Sequence, residues 1–198
     1  TVRQREPDYN LIEKIAMECR MPLCYGGGIK TVDQAERILK LGVEKISISS
    51  GAFENPQMVS ELAKKVGSQS VVVCIDVKTG MFQSKLKCYT HNSKIKQDID
   101  PLEFALAAQD MGAGELIINS IEKDGMMNGY DLNMISSFTK ILSIPVTVVG
   151  GAGSHEDIQK LFSAEKLIGA GAGSLFVFKG IYKAVLISYP TENEKAII

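Results

Sequence analysis

Two carboxylates stand at the ends of apolar runs. Asp76 closes Val71-Val72-Val73-Cys74-Ile75, and Asp124 lies in Glu122-Lys123-Asp124-Gly125, shortly after an apolar run ending at Asn119. A carboxylate ending a buried strand is costly unless it reaches a polar mouth, where desolvation raises its pKa toward the range useful for proton transfer. Each also has a plainer reading, Asp76 as a cap on the following turn and Asp124 as half of a common Asp-Gly turn. Two glycine loops accompany them, Gly26-Gly27-Gly28 ahead of Thr31 and Gly150-Gly151-Ala152-Gly153 ahead of Ser154. Glycine lets a backbone approach an anion closely, and a helix N-terminus offers free N–H groups and the positive end of its dipole. Ser49-Ser50-Gly51 and Gly171-Ala172-Gly173-Ser174 add small hydroxyl and amide donors, so each loop pair can cradle a phosphate or simply form tight turns.

The elements that must hold these residues alternate. Short apolar runs at 22–25, 45–49, 71–77, 115–119, 145–149 and 166–170 read as strands. Helical spacing fills 8–19, 32–41, 55–66, 101–111, 132–141 and 156–162, with Pro56 just inside one helix start. Strands separated by helices imply parallel pairing, either in an open doubly wound sheet or in a barrel. Residues 79–90 break the rhythm with a hairpin-like alternation (Phe82, Ser84, Leu86, Cys88) at the C-terminal end of the third strand.

Residues 22–53 and 145–176 align without a gap at an offset of 123. Pro22 meets Pro145, Gly27-Gly28 meet Gly150-Gly151, Thr31 meets Ser154 and Phe53 meets Phe176. Self-similarity over two βα units favours a fold of two equivalent halves, and a barrel closes such halves on each other. The expected fold is therefore an α/β (βα)8 TIM barrel of two-fold repeat, with strands 1 and 2 and helix 1 missing from this chain. Residues 1–198 then form a single partial barrel domain of a parent of about 250 residues. Two phosphate loops across one mouth imply a long substrate with a phosphate at each end.

Composition removes other classes. The chain has 198 residues, 45% hydrophobic and 23% charged, with 22 basic against 23 acidic side chains. That balance gives no electrostatic footprint for nucleic acid. No 18-residue apolar stretch suits a bilayer, so a cytoplasmic protein without a membrane partner is expected. Cys19, Cys24, Cys74 and Cys88 form no CxxC or zinc spacing and read as structural thiols. His91 and His155 lack a metal-ligand partner and read as surface residues. No metal or cofactor is expected. Lys45 and Glu115 begin strands at the opposite, N-terminal face, where a salt-bridge layer is the expectation.

The stretches GGGIKTVDQAERIL, VEKISIS, GSQSVVVCIDVK, GAGELIINSIEKDGMMNGYD, IPVTVVGGAGS and GAGSLF resemble the cyclase subunit of imidazole glycerol phosphate synthase, in that family's order. The resemblance implies a two-fold (βα)8 barrel whose glutaminase partner docks on the N-terminal face. It implies ammonia passing through the barrel to a phosphoribulosyl-formimino carboxamide ribotide, which yields imidazole glycerol phosphate and an aminoimidazole carboxamide ribotide. Asp76 matches one of two acid/base aspartates, the other lying outside this chain, and Asp124 a further active-site aspartate with Gly125 beside a phosphate. Gly28, Ser49 and Ser50 match one phosphate site, and Gly151, Gly173 and Ser174 the other. Lys45 and Glu115 match members of a charged gate for ammonia.

Two departures stand out. Ser49 replaces the family's usual asparagine, and Met126 stands where a small or polar residue is common. With the opening Arg5-Glu6-Pro7-Asp8-Tyr9-Asn10, they also resemble a paralogous branch that works with a glutaminase to amidinate a sugar in surface-polysaccharide (lipopolysaccharide O-antigen) synthesis.

Overall fold

A computed structural model of the protein describes residues 6–79, 85–165, 167–180 and 182–195. Helix α1 (Tyr9–Glu18) leads into β1 (Cys24–Gly26), α2 (Val32–Lys40), β2 (Lys45–Ile48), α3 (Ser50–Glu54), α4 (Gln57–Val66) and β3 (Val71–Thr79). The hairpin strands β4 (Leu86–Thr90) and β5 (Ile95–Lys96) come next, then α5 (Pro101–Asp110) and β6 (Glu115–Ser120). They are followed by α6 (Leu132–Thr139), β7 (Val146–Val149), α7 (His155–Ala164) and β8 (Ile168–Gly171). A short α8 (Ser174–Val177), the antiparallel pair β9 (Phe178–Lys179) and β10 (Ala184–Val185), and α9 (Glu192–Lys195) complete the described elements.

The main strands pair in the order β1-β2-β3-β6-β7-β8, all parallel. This order runs with the chain and never reverses. A doubly wound sheet reverses at a switch point so that helices cover both faces, whereas a monotonic order with crossovers of one hand stacks every helix on the same face. The sheet is accordingly curled, a half-barrel.

Burial follows the same asymmetry. Ile46, Ile48, Val71, Val73, Ile75, Leu116, Ile118, Val146 and Val148 point toward the helices and are buried. They pack on Ile38, Leu62, Phe104, Ile135, Phe138 and Leu161 in one core. Each such side chain contributes about 1.5–3 kcal/mol by leaving water. On the concave side of β2, β3, β6 and β7 Val72 is buried, but Lys45, Ser47, Cys74, Asp76, Glu115, Ile117, Asn119, Thr147 and Val149 are only half-buried. Ionisable groups are placed there because the helical side would strip them of water.

The helix starts repeat a local device. Thr31 caps α2 by accepting from the Gln34 amide (3.2 Å), while the Gln34 side chain accepts from the backbone of Thr31 (3.3 Å) and Lys30 (2.8 Å). Ser154 caps α7 in the same way with Asp157, whose carboxylate also accepts from Gly153 N–H (3.1 Å). The 123-residue offset carries β2 onto β8 end for end. Strand register does not repeat as strictly. Tyr25 pairs with Ile46, but Val148, the repeat partner of Tyr25, pairs with Ala170, one residue beyond the expected Gly169.

The hairpin expected over 79–90 is present as β3–β4, with Thr79 opposite Leu86, although Phe82 and Ser84 lie outside the described residues. Its continuation into β5, and helices α3 and α8 shortly after β2 and β8, leave no mark in the spacing of apolar residues. These pieces are too short to show a period.

Candidate active site at the carboxyl ends of the strands

Asp76 and Asn119 are register partners on adjacent strands β3 and β6, so both side chains leave the concave face at one level. Asn119 Nδ2 donates to Asp76 Oδ1 at 2.8 Å. Three influences set the carboxyl's proton affinity. Burial raises it most, the Asn119 hydrogen bond lowers it, and the charge of Asp124 raises it again, leaving the pKa above the ordinary aspartate range. This is the direction a group needs to exchange protons nearer neutrality. Asn119 Oδ1 is buried and has no partner among the described residues. Asn119 was not singled out in the sequence; its signal was its place one strand over from Asp76, which only the register reveals.

The first loop pair builds a cavity of about 260 Å³ beside Asp76. It is lined by the glycines 26–28 with Ile29, by residues 47–51, and by Cys74, Asp76, His91 and Asn92. Gly28, Ser49, Ser50 and Asp76 thus meet in one concavity. Gly27 and Gly28 have φ of 116° and 72°, which favours glycine. Gly26 is required by proximity as well, since a Cβ there would lie 3.0 Å from the Ser47 carbonyl oxygen.

The second loop pair is organised differently. Gly150, Gly151 and Gly153 press against the segment carrying Asp124: a Cβ on Gly150 would meet Ser120 O, one on Gly151 the Gly129 carbonyl, and one on Gly153 the Met127 carbonyl. Gly129 N–H donates to Gly151 O at 2.8 Å. These glycines therefore serve loop-to-loop packing first, and the cavity that holds Gly28 does not include Gly151. Gly173 and Ser174 begin α8 beside this loop, because β7 and β8 end as register partners at Val149 and Gly171. A Cβ on Gly173 or Gly125 would meet open space. Asp124 is exposed, and the Gly125 carbonyl accepts from Lys183 Nζ at 3.2 Å, a cation the sequence did not point to. Met126 is 56% exposed beside this turn.

At the amino ends of the strands, Lys45 Nζ and Glu115 Oε2 are 2.6 Å apart, and Thr147 Oγ1 donates to Glu115 Oε1 at 2.7 Å. Residue chemistry had predicted this pairing. Cys24, expected among strand hydrophobes, is exposed on β1, while burial pushes the thiols of Cys74 and Cys88 up to about 12. His91, expected on the open surface, instead lines the first cavity. Among the described residues no helix is long and apolar enough to cross a membrane, and no three His, Cys, Asp or Glu side chains gather as a metal site.

The sequence pattern of the family described as "Histidine biosynthesis protein" matches residues 1–183. The chain belongs to that family. A protein of Vibrio vulnificus (strain YJ016), provisionally named imidazole glycerol phosphate synthase subunit hisF3, is 62% identical over 190 residues, covering 96% of this chain and 73% of its own. The Leptospira interrogans protein, named in the same provisional way as subunit HisF, is 51% identical over 191 residues, 96% of this chain and 75% of its own. Imidazole glycerol phosphate synthase subunit HisF of Petrotoga mobilis (strain DSM 10674 / SJ95) is 43% identical over 178 residues, 88% of this chain and 69% of its own. Within the histidine biosynthesis proteins the chain thus groups with the cyclase subunits. These names carry the histidine branch of the resemblance and not the sugar-amidination branch.

Proposed function

We propose that this histidine biosynthesis protein is the ammonia-using cyclase subunit of an imidazole glycerol phosphate synthase. Its substrate is a carboxamide ribotide with a phosphate at each end, converted to imidazole glycerol phosphate and the aminoimidazole carboxamide ribotide. The observation that carries this reading is Asp76, held by Asn119 with a raised pKa, on the rim of the glycine-serine cavity. In this reading Asp76 moves protons at the reacting end, and Asp124 is a second carboxylate felt by the first. Gly28, Ser49 and Ser50 hold one phosphate through backbone N–H and hydroxyl groups; Gly125, Gly151, Gly173 and Ser174 hold the other. Ser49 reaches less far than the asparagine common in the family.

The proposed architecture is a two-fold (βα)8 barrel, six of whose strands are the parallel ones described, with residues 1–198 in one domain. Monotonic strand order and the repeated helix caps support it. The proposed partner is a glutaminase seated at the amino ends of the strands, where Lys45 and Glu115 act as a gate for ammonia. A cavity lined by Glu115, Thr147, Ile144, Pro145 and Gly169 opens beside that pair.

The test is turnover of the ribotide by the whole protein with an ammonium salt, followed by the product's absorbance change. Asp76→Asn should lower the rate by at least about a hundredfold without loss of fold. Absence of product from the unmodified protein would remove the reading.

A further inference from the structure

The cavity under Asp76 has an electrostatic problem. Among the described residues none that lines it is lysine or arginine, and Asp76 contributes negative charge. Neutral donors, namely backbone N–H groups, hydroxyls and the Asn92 amide, would then have to hold a phosphate there. Among the described lining residues, His91 is the one that can carry positive charge.

His91 arrives by an unusual route. The tip of the β4–β5 hairpin places His91, Asn92 and Ser93 in succession at φ of 55°, 57° and 62°. Left-handed backbone costs a non-glycine residue about 1–2 kcal/mol, so three in a row need firm anchoring. Thr90, 1% exposed, provides it: its Oγ1 accepts from Gln97 Nε2 at 2.8 Å, and its carbonyl accepts from Lys94 N–H at 3.1 Å. The same hydroxyl lies 3.1 Å from His91 Nδ1. A hydroxyl both donates and accepts, so it can satisfy that nitrogen whether or not the ring is protonated. Nε2 lies 3.6 Å from Glu54 Oε1 at the end of α3, beyond ordinary hydrogen-bond reach, so this nitrogen is left free to meet a ligand. Among the described residues Glu54 from α3 is the charged group nearest the ring, and Asp76 from β3 lines the same cavity.

We propose that His91 is a binding residue of this cavity, whose imidazolium supplies its side-chain cation and, with Asn92 beside it, selects a dianionic phosphate ester over a neutral or singly charged group. The inference rests on the reading of the cavity as an anion site. It makes the hairpin inserted after β3 a specificity element.

Sulfate tests it, because its charge stays fixed while histidine changes charge between about pH 5 and 8. Sulfate and inorganic phosphate are titrated into the intact chain, with the amide shifts of Gly27, Gly28 and Gly51 locating the site. Sulfate affinity should fall about tenfold from about pH 5.5 to 8.5, the loss of one charge-assisted hydrogen bond. His91→Asn, which tolerates left-handed backbone, should bind more weakly than the unmodified protein at low pH and keep only the pH dependence that Asp76 contributes, and H91K should bind more tightly than the unmodified protein at high pH. H91Q serves as a second neutral variant, with thermal melts confirming that each variant folds. Neutral variants that bind like the unmodified protein at low pH would overturn the role of His91 while leaving an anion site. No binding of either anion by the unmodified protein would refute the anion site itself, and the inference with it.

Discussion

Replacing Asn119 by leucine tests the link between strand register and the chemistry of Asp76. The substitution deletes a 2.8 Å hydrogen bond to a carboxylate. Such bonds contribute about 1.5–3 kcal/mol when buried. Asp76 is only half-buried, so solvent screens part of this, and the low end, about 1.4 kcal/mol or one pH unit, is the working figure. The pKa of Asp76, already raised mainly by burial, should rise by about one further unit in Asn119→Leu. The sign for stability follows from the folded pKa lying above the unfolded one. The contribution of Asp76 is complete at acidic pH, below the unfolded value of about 3.9, and is lost as pH rises through the raised folded value. A separate, pH-independent effect opposes the loss, because the substitution also removes the partnerless Asn119 Oδ1, whose burial costs about 1–3 kcal/mol. Asn119→Leu should therefore lose about 1.4 kcal/mol more stability than the unmodified protein between about pH 4 and pH 8, whatever its starting offset. Carbon-detected NMR titration of the carboxyl, assigned with Asp76→Asn, reads the pKa; urea midpoints across pH read the stability. An unchanged or lowered Asp76 pKa in Asn119→Leu would refute the reasoning.

Other outcomes follow from the same geometry. Gly151→Ala, which combines φ of 119° with a collision on the Gly129 carbonyl, should cost more than about 2 kcal/mol in urea unfolding, whereas Gly27→Ala, at φ of 116° in open space, should cost about 1. Removing either cap hydroxyl, by Thr31→Ala or Ser154→Ala, should lower stability by about 1 kcal/mol, measured as a shift of the denaturation midpoint. Glu115→Gln weakens the hold on Lys45 and should reduce glutamine-driven turnover with a partner glutaminase while leaving turnover with free ammonium salt within about twofold; equal losses in both assays would argue against a gate.

The alternation of strands and helices was readable because each strand carries its apolar residues on the side the helices cover. Ile46 and Ile48, or Leu116 and Ile118, announce themselves by period and by neighbours. Pro56 stood one place off, at the cap of α4 rather than inside it, an ordinary uncertainty of helix ends. Asp76 was legible since a charge ending an apolar run has few explanations. Asn119 and His91 were not, because each acquires its role from a partner far along the chain, through register in one case and a hairpin tip in the other. The second glycine loop was legible only in part. Its glycines look like an anion loop in one dimension, and only the proximity of Met127 and Gly129 reveals how much of their smallness goes into packing.

The reciprocal locks at Thr31 with Gln34 and at Ser154 with Asp157 have a consequence for recognition. Each holds the entry to its helix from within, with no reliance on cargo. A visiting anion would meet a receptacle already frozen in shape, and little disorder would remain to be surrendered on docking. Residues that never touch the guest would then govern how firmly it is kept, and loosening a lock should shorten residence while every direct contact survives.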